Sequence, residues 1–69
     1  QFIQDNFDQV IEETSQGAGI HLTAMLNMLE VEESQQPQIL KTIRTEMAEQ
    51  IVAKQATPEA YYNVVMASV

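Results

Sequence analysis

One histidine, four methionines and several paired carboxylates are the side chains of this sequence with chemistry to offer. His21 stands near the start of an apolar stretch, on the same side of a helical wheel as Met25 and Met28. An imidazole can act as a general base or a pH switch. Here no nucleophile or carboxylate accompanies it at helical spacing, and a helix N-terminus disfavours its cation. A packed or boundary histidine is the better reading. Met25, Met28, Met47 and Met66 could line a plastic groove, although methionines at such positions more often fill a core. The carboxylates fall as Asp5 with Asp8, Glu12 with Glu13, and Glu30 with Glu32 and Glu33. They match neither the Asp-x-Asp-x-Asp-Gly calcium loop nor the Glu-x-x-His motif of di-iron bundles. Solvated helix faces account for them.

Absent residue types exclude further chemistry. Without cysteine there are no disulfides, thiolate metal sites or cysteine nucleophiles. No phosphate-binding loop, dinucleotide fingerprint or Ser/His/Asp arrangement is present. The expectation is a non-enzymatic protein with no catalytic, cofactor or metal site.

Ten acidic residues against three basic ones give a net charge of −7. Nucleic-acid binding needs cations for the phosphates, and anionic membrane surfaces need them too; neither partner is expected. No apolar run approaches the ~20 residues of a membrane span, and no signal peptide is visible. A cytoplasmic location is the default expectation. The three cations, Lys41, Arg44 and Lys54, all lie in one stretch, and none has an acid three or four residues away. Lys41 and Arg44 are instead a like-charged pair at i, i+3, slightly unfavourable in an isolated helix. They are expected to orient packing by meeting acids elsewhere, such as Glu12, Glu13 or Glu30, or acids of another subunit.

The elements that must position these residues are helices. From Pro37 to Lys54, Ile39, Leu40, Ile43, Met47 and Ile51 fall on one side of a wheel. Pro37 suits the first helical position, and Ser34 or Gln36 would cap the start. Upstream, Ile3, Phe7, Val10, Ile11 and Thr14 share one face of a first helix, which Gly17 can terminate in a left-handed conformation. Glu12 and Glu13 occupy its last turn, where the helix dipole disfavours anions, so a cation nearby is expected unless water alone solvates them. The second helix carries apolar residues on most of its circumference, which suggests a central or sandwiched position. Thr57-Pro58-Glu59 combines a cap, a proline at the first position and an acid in the first turn. After Glu59 no charged residue follows, and Tyr61 and Tyr62 point about 100° apart.

Size, acidity and helix number resemble acyl carrier proteins. Those carry a serine at the start of the second helix, whereas this chain reads Gly17-Ala18-Gly19-Ile20-His21-Leu22 there. That family is excluded.

The expected architecture is one all-α domain, 1–69, of four helices near 2–15, 20–32, 37–55 and 58–69, assembled as an oligomeric bundle. A chain of 69 residues has a marginal core of its own, so oligomerisation or a place in a longer polypeptide is the expected remedy. The favoured function is a protein–protein interaction module, a homodimer above other oligomers. Its interface would use Leu22, Leu26, Tyr61, Tyr62, Val65, Met66 and Val69, the broad apolar faces of the second and fourth helices. Two alternatives stand beside it. One is an acidic domain that binds a basic protein; the other is a small-molecule pocket lined by methionines, with His21 as its polar anchor. The first helix could also be exchanged between protomers through the Gly17–Gly19 hinge.

Overall fold

The amphipathic stretch after Pro37 forms the central rod of the molecule, α4 (Gln36–Val52), in a computed structural model that describes residues 1–69. The remaining helices are α1 (Phe2–Asp5), α2 (Phe7–Gln16), α3 (Ile20–Met28) and α5 (Pro58–Ser68), with a single 3₁₀ turn at Glu33–Gln35 leading into α4. There are no strands. Against α4 pack α2, α3 and α5, while α1 reaches across to α5.

Three expected boundaries move, each for a local reason. The first helix breaks at Asn6, whose backbone sits at φ −120°, ψ 28°. Its side-chain Nδ2 donates to the Phe2 carbonyl at 3.0 Å, a local bond that competes with the helical ladder. The second helix stops at Met28 rather than residue 32, and the third at Val52 rather than residue 55. Pro37 is the second residue of α4, behind Gln36, and neither Ser34 nor Gln36 caps the helix with its side chain. At Thr57 the expectation holds, since its Oγ1 accepts the Ala60 N–H at 3.1 Å.

Helices α2, α3 and α4 all end in the same device, a Schellman pair of backbone bonds around one left-handed residue. After α2, Ala18 N–H donates to Glu13 O and Gly17 N–H to Thr14 O, with Gly17 at φ 89°. After α3, Val31 N–H donates to Leu26 O and Glu30 N–H to Asn27 O, with Glu30 at φ 61°. After α4, Gln55 N–H donates to Gln50 O and Lys54 N–H to Ile51 O, with Lys54 at φ 57°. Only the first of the three uses the residue that adopts this conformation without steric cost.

Nine apolar residues form the core: Ile3, Val10, Leu22, Met25, Leu26, Ile43, Met47, Tyr61 and Val65. Leu22, Leu26, Tyr61 and Val65 were expected to face a partner, and that expectation is corrected: all four are buried within the chain. The reasoning from surplus apolar surface overlooked how α4 fits between α2 and α5. The accessible surface, 4604 Å², is close to the ~4400 Å² typical of a monomer of this mass. Two buried polar residues are satisfied. Gln36 Nε2 donates to Asn27 Oδ1 at 2.9 Å and to the Val31 carbonyl at 3.1 Å. Thr14 Oγ1 bonds the Val10 carbonyl at 2.7 Å, which uses its single proton, so the Tyr61 hydroxyl is the donor in its bond to Thr14. Burial pushes the Tyr61 phenol pKa up, and the nearby Glu13 charge adds to this.

Glu30→Gly and Lys54→Gly should each raise stability, by about 0.5–1 kcal/mol, because the strained left-handed conformation outweighs the larger chain entropy of glycine. Urea unfolding midpoints measure this, and a lower midpoint for both variants would contradict the strain.

Candidate functional site

The turn between α2 and α3 lacks the residue that ordinarily caps a helix. Gly19, with no side chain to offer, precedes Ile20, so the first N–H groups of α3 need an acceptor from elsewhere. Glu13 supplies it from the last turn of α2. Its Oε1 accepts the N–H of His21 at 2.8 Å and of Leu22 at 3.0 Å, the second and third residues of α3. Its Oε2 lies 2.6 Å from His21 Nδ1. An ionised carboxylate only accepts, so Nδ1 carries the proton of this bond.

The carboxylate is largely enclosed, its side chain 15% exposed. Burial alone would raise its pKa; the bond from the His21 ring, the Leu22 and His21 amides and the His21 charge outweigh that and hold it below the ordinary 4.5. The unfavourable position at the C-terminal end of α2 is thereby offset by the positive end of α3. Gly19 belongs to the same device. A Cβ there would collide with the Glu13 Cγ, Cδ and Oε1. The Gly17–Gly19 segment is therefore a clasp pinned from both sides, and its use as a hinge for exchanging the first helix finds no support in this geometry.

Sequence reasoning placed no carboxylate near His21, because the partner lies eight residues away across a turn. A signal existed: a helix start with no Ser, Thr, Asp or Asn before it calls for a remote cap. As a catalytic pair the two residues are poorly placed, since Oε1 is committed to two backbone amides and Oε2 to the imidazole.

Lys41 and Arg44 do not meet Glu12, Glu13 or Glu30; Glu13 pairs with His21 instead. The Arg44 guanidinium lies over Gly17, with Nη1 3.6 Å from where a Cβ would stand. It faces the C-terminal end of α2, where a cation interacts favourably with the helix dipole without a paired acid. Lys54 shares a depression with Asp8 and Glu12, between α2 and the end of α4.

On the other flank of His21 stands Phe2, with ring centroids 6.5 Å apart. Phe2 also forms the wall of an apolar groove of about 230 Å³. Phe2 and Ile3 of α1, Met25, Met28 and Leu29 at the end of α3, and Tyr62, Val65 and Met66 of α5 line it, with Gln1 as the one polar residue. Tyr62, Met66 and Val69 are about half exposed, and Met28 is 64% exposed. The methionines thus divide, with Met25 and Met47 in the core and Met28 and Met66 at the surface. His21 does not line the groove, and Met47 does not either, which removes the expected anchor from a methionine-lined ligand pocket. A larger depression of about 460 Å³, between the start of α1 and the start of α5, mixes the polar Gln1, Gln4, Thr57 and Glu59 with Ile3, Pro58 and Tyr62.

No three His, Asp or Glu side chains converge as metal ligands, and no helix is long and apolar enough to cross a membrane. Fold and site together define a small all-α protein whose α2–α3 corner is locked by a half-buried carboxylate and whose α3–α5 edge is an open apolar groove. Residues 1–69, the whole chain, match the family described as "Protein of unknown function (DUF3015)", and the chain belongs to that family. No curated protein and no solved structure matches it.

Removing the clasp with Glu13→Ala should cost about 1–2 kcal/mol, the usual worth of an N-cap. Gly19→Ala should cost a similar amount by displacing Glu13, and the double variant should lose little more than either single one. The Glu13 contribution is present in full above its unfolded value near 4.5 and is lost as pH falls through the depressed folded value. Wild-type stability should therefore decline in acid more steeply than that of Glu13→Ala. Additive losses in the double variant, or parallel acid profiles, would contradict the clasp.

Proposed function

We propose that this chain is a non-enzymatic protein–protein interaction module that pairs with a second copy of itself through the groove between α1, the end of α3 and α5. The observation that carries the proposal is charge. The chain bears −7 overall, so two copies repel over most of their surfaces, yet the groove lining contains no charged side chain. Like-charged copies can approach closely there.

Shape supports the same occupant. Tyr62 and Met66 share one face of α5 at i and i+4, and Val69 follows at the helix's end; together they form a ridge. The groove beside this ridge is lined by Phe2, Ile3 and Met28. A surface that holds both ridge and groove can be complementary to itself about a two-fold axis, the geometry of an isologous dimer. A basic partner finds no carboxylate in this lining to pair with.

Of the residues assigned to an interface from sequence, Tyr62, Met66 and Val69 remain exposed, Val65 forms part of the groove wall, and Leu22, Leu26 and Tyr61 are buried in the core. Lys41 and Arg44 lie on α4 and contribute nothing to the groove lining.

Sedimentation equilibrium over a range of protein concentrations tests this. Dimerisation should strengthen from low to moderate salt, because salt screens the repulsion and leaves the apolar contact. Tyr62→Asp and Met66→Asp, both at exposed positions, should weaken it at least tenfold, about 1.4 kcal/mol, with the helical signal intact. A wild-type monomer at every concentration would contradict the proposal.

A further inference from the structure

The two exposed methionines of the groove, Met28 and Met66, are the chain's accessible sulfurs, at 64% and 43% exposure; Met25 and Met47 are 3% and 0% exposed. There is no cysteine to react first. From this placement we infer that Met28 and Met66 are a reversible oxidation site that opens the α3–α5 face, an inference that rests on the self-association proposed above.

The chemistry is a two-electron oxygen transfer from a peroxide. The thioether sulfur attacks one peroxide oxygen, an S–O bond forms and the O–O bond breaks. Sulfur gives up two electrons to the departing hydroxide, which takes the remaining peroxide proton and leaves as water. The product sulfoxide is polar and accepts hydrogen bonds. Against this groove its needs go largely unmet, since Gln1 and Tyr62 carry the only side-chain donors of the lining. Burial of such an acceptor without a partner is unfavourable. Oxidation therefore disfavours pairing, and by linkage pairing protects the two sulfurs. Reduction of the sulfoxides restores the face.

The test treats the whole chain with hydrogen peroxide at several protein concentrations and maps sulfoxides by peptide mass spectrometry. Sedimentation equilibrium is run on the same samples. Met28 and Met66 should oxidise well before Met25 and Met47, and more slowly at concentrations where the protein is paired. Each sulfoxide should weaken association roughly tenfold, and methionine sulfoxide reductases should reverse the loss. Met28→Leu with Met66→Leu should associate normally and ignore peroxide. Oxidation of all four methionines at one rate, or unchanged association after Met28 and Met66 are oxidised, would overturn the inference while leaving the pairing intact. Absence of association in untreated protein would overturn the pairing itself, and the switch with it.

Discussion

The fold turns on one carboxylate. Glu13 must lie at the negative end of α2, where it is unwelcome, so that it can stand at the positive end of α3, where two amides and an imidazole are waiting. Its three acceptor contacts tie the end of α2 to the start of α3. They also dictate the residues around it: Gly19 leaves room for the carboxylate, and Gly17 takes the left-handed conformation that reverses the chain. Arg44 lies over that reversal from the central helix. Each of these choices looks unremarkable alone, and each follows from placing an anion between two helix ends.

With that corner set, the rest of the core falls into place around α4. Thr14, one residue beyond the clasp, accepts the Tyr61 hydroxyl and so ties α2 to α5. Phe7 packs edge-on against the Tyr61 ring, at 82° and 6.5 Å. The inner faces of α3 and α5 are consumed by this packing; of what remains apolar outside, Met28, Leu29, Tyr62 and Met66 line one groove, while Ile20 and Val52 stand exposed apart from it. The division between a self-sufficient core and a single uncharged groove is the basis of the functional proposal. The molecule does not need a partner to bury its core.

Much of this was legible from the sequence where periodicity speaks. The all-helical class, the central α4, the Thr57-Pro58-Glu59 start and the divergence of Tyr61 from Tyr62 follow from spacing alone. Tyr61 is buried and Tyr62 is 44% exposed, as two residues 100° apart on one helix require. The errors came where tertiary geometry decides. Leu22, Leu26, Tyr61 and Val65 are as apolar in a core as in an interface, and no periodic pattern distinguishes the two. Glu30 and Lys54 gave no warning of left-handed backbone, because helix ends usually use glycine there. The meeting of Glu13 with His21 required knowing the path of the turn between them. The surplus of acid at the end of α2 and the missing cap of α3 were both visible, and only the structure shows that each answers the other.

A proton titration of Glu13 followed by NMR tests the central claim most directly. The side-chain carboxyl carbon of Glu13 and the backbone amides of His21 and Leu22 should report a common titration, displaced below the ordinary glutamate value of 4.5. Both amide protons should move upfield as the carboxylate is neutralised and their hydrogen bonds weaken. A Glu13 that titrates at the ordinary value, with the two amides indifferent to it, would contradict the account of how this fold is held.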